Sequence, residues 1–107
     1  MSETLDRIKV LVAGGEVKVS DHGYDELAAD DLLAEDVFAG LAAAEVVEDY
    51  PTYPKGPCVL TLQRDTMGNP IHVLWGIPGE YEGPAVLVTA YRPDPSKWSV
   101  DFKSRKQ

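Results

Sequence analysis

A single cysteine, Cys58, stands among the 107 residues, which excludes an internal disulfide and any paired-cysteine metal motif and fits a reducing compartment. Its plain reading is a small hydrophobe rather than a nucleophile. Histidine is nearly as scarce: His22 and His72 lie 50 positions apart with no His-x-x-x-His spacing, so neither a metal nor another cofactor is expected. Gly14-Gly15 sits in neither a Gly-x-Gly-x-x-Gly nor a Gly-Lys-Ser/Thr context, and no phosphate loop is present. No apolar run approaches the roughly 20 residues that span a bilayer. The first residues alternate Glu3, Asp6, Arg7 and Lys9 with apolar side chains, unlike the core of a signal peptide. These absences predict a cytoplasmic chain with no membrane partner. Internal repeats and low-complexity tracts are also missing.

Basic residues are few where helices are predicted. Residues 1–50 hold three basic side chains, Arg7, Lys9 and Lys18, against thirteen acidic ones, whereas residues 51–107 hold seven basic against five acidic, so the halves carry −10 and +2. The acidic half repels a phosphate backbone, whose binding relies on clustered Lys and Arg. Duplex DNA is therefore excluded as a partner, and the acidic half is either a solvated surface or a docking face for a protein.

With 44% hydrophobic and 26% charged residues, the chain has the composition of one globular domain spanning 1–107. Leu5, Ile8, Leu11 and Val12 recur at helical spacing behind a Thr4 cap, and Gly14-Gly15 stops the helix. Val17-Lys18-Val19 alternates briefly. Ser20 or Asp21 caps a second helix with Tyr24, Leu27 and Ala28 on one face, and a third carries Glu35 and Asp36 at its start with Leu33, Val37 and Leu41 at i+4 steps. After Ala44 the period changes. Val46-Val47 leads to Tyr50, and prolines at 51, 54 and 57 make the following segment an edge or a loop. Residues 59–63 and 71–77 flank the turn signal 65–70 and read as a hairpin; a loop with Glu80, Tyr81 and Glu82 precedes a last strand, Val86 to Tyr91. Residues 103–107 form a basic tail predicted to fray. Helices followed by a meander define an α+β fold, with N-terminal helices packed on one face of a small, mainly antiparallel sheet.

Strand alternation separates candidate site residues from core. Ile71, Val73, Trp75 and Ile77 form the better core face, and His72 points the other way. A hairpin closing about Met67 and Gly68 sets Gln63 opposite His72, so that Gln63, Thr61, His72, Thr89 and Tyr91 make a partly polar patch away from the helices. Trp75 is predicted to be a core anchor, and Trp98 to pack over the sheet margin, partly exposed. His22, beside Asp21 at a helix start, has the chemistry of a general base; its simpler reading is a residue that hydrogen-bonds across to a strand.

Several segments resemble a bacterial domain-of-unknown-function family, DUF4258, related in fold to the RelE, ParE and BrnT toxins. They are Ser20-x-His22 and Glu35-Asp36-Val37 at helix starts, Val46 to Pro51, Gly68-Asn69-Pro70-Ile71-His72-Val73, Thr89-Ala90-Tyr91 with Pro93-Asp94, and Lys97-Trp98. The resemblance covers residues 20–98 and implies a RelE-like fold whose outer sheet face holds RNA. Members of that family carry arginines along the helix after the histidine, where this chain has Asp25, Glu26, Asp30 and Asp31. A metal-independent ribonuclease needs a base, an acid and cations for the developing phosphorane charge. His72 or His22, Tyr91, and Arg64, Arg92 or Lys97 are the residue types that qualify. Two readings result: a non-catalytic domain with a protein partner on its acidic helical half, and a ribonuclease-type toxin of a toxin–antitoxin system, the one case in which RNA is a partner.

Overall fold

The computed structural model describes residues 2–79 and 81–106. Glu80 of the predicted loop and Gln107 of the tail lie outside the described residues. Three helices and a five-stranded, mostly antiparallel sheet make an α+β fold. Helix α1 (Glu3–Ala13) is capped by Ser2, not Thr4: the Ser2 hydroxyl accepts from the Leu5 N–H at 3.0 Å. The helix ends where Gly15, at φ +80°, lets Glu16 N–H reach Leu11 C=O and Gly15 N–H reach Val12 C=O. Strand β1 (Val17–Val19) follows. Ser20 caps helix α2 (Asp21–Ala29) by accepting from Gly23 N–H at 2.9 Å, and its own hydroxyl donates to Val88 C=O. Gly23 lies so close to the last strand that a Cβ there would stand 2.8 Å from Leu87 O. Asp31, at φ 57°, takes the left-handed position at the end of α2 that glycine usually fills. Helix α3 (Ala34–Gly40) and a 3-10 turn (Leu41–Ala43) then carry the chain to the far edge of the sheet.

The helical stripes are narrower than the sequence implies. Leu27 and Gly23 are the buried residues of α2, while Tyr24, predicted on the same face, is 58% exposed, and Leu33, the residue capping α3, is 66% exposed. Strands β2 (Glu45–Tyr50), β3 (Cys58–Arg64), β4 (Pro70–Gly76) and β5 (Ala85–Tyr91) form a meander, and β1 adds parallel to β5, giving the order β1-β5-β4-β3-β2. Strand β2, which leads into the prolines, is an edge. Leu5, Ile8, Leu27, Val37 and Leu41 pack against Val59, Val73, Trp75 and Leu87 on the inner face, and Trp75 is fully buried as predicted, its ring 6.1 Å from that of Phe38.

The hairpin register differs by one residue from the sequence reading. Gln63 pairs with Ile71, and Leu62 faces His72. The cause is the loop: Asp65 and Asn69 pair across the three residues Thr66, Met67 and Gly68, with Gly68 at φ +83° and the Asp65 carboxylate accepting from the N–H groups of Met67 and Asn69. Thr61 and Gln63 therefore face the helices, not the outer patch. Gln63 donates to Val37 C=O at 2.8 Å and accepts from the Trp75 indole N–H at 3.0 Å, so its burial leaves neither end of the amide unpaired. In β5 the register shifts opposite Leu74 and Trp75, and Val88 is the extra residue. Leu87 thus faces the core while Thr89 and Tyr91 share the outer face with His72.

Candidate functional site

The outer sheet face is where the polar residue types meet. His72 sits on β4 opposite Tyr91 on β5, with Leu62 on its other side. It is nonetheless fully buried, because residues 97–106 fold back over this end of the sheet as a small hairpin. Lys106 N–H bonds Lys97 C=O, Ser99 N–H bonds Ser104 C=O, and Trp98 bridges to Arg105. Trp98 stacks edge-on to the His72 ring at 4.4 Å, and at 5% exposure it is buried, contrary to the expectation of a partly exposed side chain. Its cover comes from its own hairpin, which the prolines before it did not disclose. Residues 103–106 of the basic tail make specific contacts. Lys103 pairs with Glu45 at 2.6 Å; Arg105 binds Glu48 through two bonds of 2.9 and 3.0 Å and lies over the Trp98 ring, 4.6 Å from its centroid.

The histidine's tautomer follows from its partners. Its Nε2 lies 2.7 Å from the carbonyl oxygen of Phe102, which accepts only, so Nε2 carries the proton. Nδ1 then offers its lone pair to the Tyr91 hydroxyl at 3.2 Å. Burial holds the His72 pKa below the usual value for imidazole, the Phe102 carbonyl opposing it and Arg105 adding to it. Burial pushes the Tyr91 phenol up, so it keeps its proton. The guanidinium of Arg105 holds Glu48 below the ordinary carboxylate range, and Tyr50 donates to the same carboxylate at 2.8 Å. Phe102 presents its carbonyl from a left-handed backbone at φ 61°, a conformation that costs about 1–3 kcal/mol in a non-glycine residue and persists where surrounding contacts over-determine it.

Of the sequence candidates, His72 and Tyr91 are brought together and the others are not. His22 is exposed on α2, 3.5 Å from Glu26 one turn on. Arg64 ends β3 in solvent. Arg92 pairs with Asp65 at 2.9 Å, and its backbone N–H donates to the carboxylate of Asp30, the residue that caps the end of α2, giving that acid a structural role. Lys97 is an exposed residue at the base of the hairpin. Glu48, Tyr50, Trp98, Phe102 and Arg105 were not among the sequence candidates, and no local pattern marks them, since they meet through β2 and a segment that the tail's basic composition disguised. As arranged, the cluster has no vacant imidazole nitrogen and works as a clasp between the sheet and the C-terminal hairpin.

Two further features flank it. The open remainder of the outer face forms an apolar cleft beside Tyr50. On the helical side, exposed Leu33 and Met67 line a second cleft with Asp31, Asp36 and Asp65. Among the described residues, no group of three or more His, Cys, Asp or Glu side chains could hold a metal ion, and no helix is long and apolar enough to cross a membrane. No curated protein and no solved structure matches the chain. The family model described as "Domain of unknown function (DUF4258)" matches residues 19–92, a span running from the end of β1 through the last strand and including both His72 and Tyr91. The chain therefore belongs to the DUF4258 family.

Proposed function

We propose that this domain is a non-catalytic protein-interaction module that engages its partner through the acidic helical half. The observation that carries the reading is the state of His72: fully buried, held neutral, both ring nitrogens occupied by Phe102 and Tyr91. A general base needs a free nitrogen within reach of the substrate's proton. The partner face is supported by Leu33, 66% exposed, beside Asp31 and Asp36 of the helical half, with Met67, 82% exposed, across the cleft on the β3–β4 loop next to the Asp65–Arg92 pair. Apolar anchors inside a charged rim are the usual anatomy of a docking surface. The relevant test is induced expression in a bacterial host together with incubation of the purified chain with RNA. Unimpaired growth and intact RNA are expected. Growth arrest relieved by His72→Ala would sink the reading. Duplex DNA should not bind at physiological salt, since the helical half carries −10.

A second reading, a metal-independent ribonuclease-type toxin on a RelE-like fold, draws on the convergence of His72, Tyr91 and Arg105. It requires the C-terminal hairpin to lift, freeing an imidazole nitrogen for a 2′-hydroxyl and the guanidinium for the phosphorane charge. RNA cleavage by a Trp98→Ala chain, lost when His72→Ala is added, would establish it.

A further inference from the structure

The C-terminal hairpin covers one end of the outer sheet face and leaves the other bare. That end is a cleft of about 500 Å3 whose floor is Leu74, Gly76, Val86 and Val88. A sheet face that meets water alternates to polar residues, and this one does not. Val86 and Val88, two residues apart in β5, lie on the same side by ordinary strand alternation, and the register shift beyond them brings Thr89 onto that face as well. Gly76 deepens the floor: a Cβ there would lie 3.6 Å from Val88 Cγ2 and 3.7 Å from Cys58 Cβ, in ordinary contact and inside the space now open. Tyr50, Tyr53 and Lys55 raise one wall.

The wall is preformed. Gly56, at φ +126°, approaches the exit of β4 so closely that a Cβ would stand 2.1 Å from Ile77 O. Ile77 N–H bonds Pro57 C=O and Gly79 N–H bonds Lys55 C=O, so the turn between β2 and β3 is seamed to the segment beyond β4. Tyr50 is fixed from the other side through Glu48. A cavity of this volume, apolar with a few polar groups at its edge and built on rigid strands, has the form of a small-molecule site.

We propose that this cleft binds an amphiphilic organic acid, an aromatic or branched apolar body carrying one carboxylate, with the body on the Val86–Val88 floor and the carboxylate at Lys55 Nζ. Charge sets the orientation. Lys55 is the cation in the lining, and among the described residues no carboxylate lines the cleft to oppose it. Burial and then Asp49 push the Cys58 thiol up, so it lines the cleft as a neutral group. A two-fold contact centred on the cleft would set concavity against concavity and leave both clefts unfilled.

The experiment is an amide NMR titration of the full chain with 2-naphthoate. Saturable shifts are expected at residues 50–58, 74–78 and 86–88, with the helices and residues 97–106 unmoved. Lys55→Glu should weaken binding about tenfold and Lys55→Arg by no more than about twofold. Gly76→Val, which fills the floor from a strand position that accepts a β-branched residue, should remove binding while leaving the rest of the spectrum in place. The neutral isostere 2-naphthalenemethanol should bind several-fold more weakly. Overturning results are the absence of saturable shifts, equal binding by acid and alcohol, or ligand-free shifts at the same residues that grow with protein concentration, which would assign the face to self-association.

Discussion

The two faces of the sheet are closed by different kinds of chain. On the inner face, two amphipathic helices and a short third one lay down a continuous apolar layer, and its polar insertions are paired: the Gln63 amide bonds to Val37 and Trp75, and the Thr61 hydroxyl donates to Val73 C=O. On the outer face, a ten-residue hairpin covers one end, held by a few directional contacts: Phe102 to His72, Trp98 on His72, and Arg105 on Glu48. The other end is an open cleft. Closure by area is cooperative, since no part of the inner layer separates without exposing the rest. Closure by a few contacts at the end of a chain forms a local unit that opens at less than the global cost.

The contrast is sharpest in the two tryptophans. Trp75→Ala should cost about 3–5 kcal/mol, a large share of a small domain's stability, and should lower the urea midpoint of the whole molecule. It also takes the indole donor from Gln63. Trp98→Ala removes an equally hidden indole, but its cost is capped by that of detaching the hairpin, so about 2–3 kcal/mol is expected. Far-UV dichroism should stay native while amide exchange rises at residues 97–106. Both indoles should resist a collisional quencher in the parent chain, given exposures of 0% and 5%. Strong quenching of Trp98 would show the hairpin open in solution.

The pH dependence distinguishes the faces by a different route. His72 is held neutral, its folded pKa below the usual value, so the unfolded chain takes up the proton first as pH falls through about 6.5. The contribution of His72 is therefore complete above that point, declines as pH drops below it, and levels off once the folded imidazole also titrates. Urea unfolding at pH 7.5 and 5.5 should show a loss in the parent that is smaller in His72→Gln. An equal loss in both would remove His72 as its source. The smallest effect belongs to the ion pair: Arg105 is 61% exposed, and a double-mutant cycle of Glu48→Gln with Arg105→Gln should return about 0.5–1 kcal/mol despite the two-bond geometry.

Legibility in the sequence followed the range of the interactions. The Ser20 cap, the stop at Gly14-Gly15, the β3–β4 hairpin and the inward face of Trp75 all depend on residues a few positions apart, and they were readable. The pairing of Gln63 failed by one residue because the count of loop residues, three rather than two, rests on Asp65 capping its own turn and Gly68 adopting a left-handed backbone. A one-residue slip exchanges faces, and it moved Thr61 and Gln63 from the supposed site into the core. The candidate site was visible only in part: His72 and Tyr91 were named, while Glu48, Tyr50, Trp98, Phe102 and Arg105 were not, since nothing local links residue 48 to residue 105.

By itself, then, the sequence determined the α+β class, the stop of the first helix at Gly14-Gly15, the core face of β4 and the charge division between the halves, all set by local backbone preferences and short-period burial. Tertiary structure alone decided that His72 is sealed rather than offered, that residues 97–106 form its cover, and that the other end of the outer face remains an open cleft. Each of those outcomes depends on which surfaces meet after the chain has folded back over some 30 to 57 residues, a distance over which no periodicity carries information.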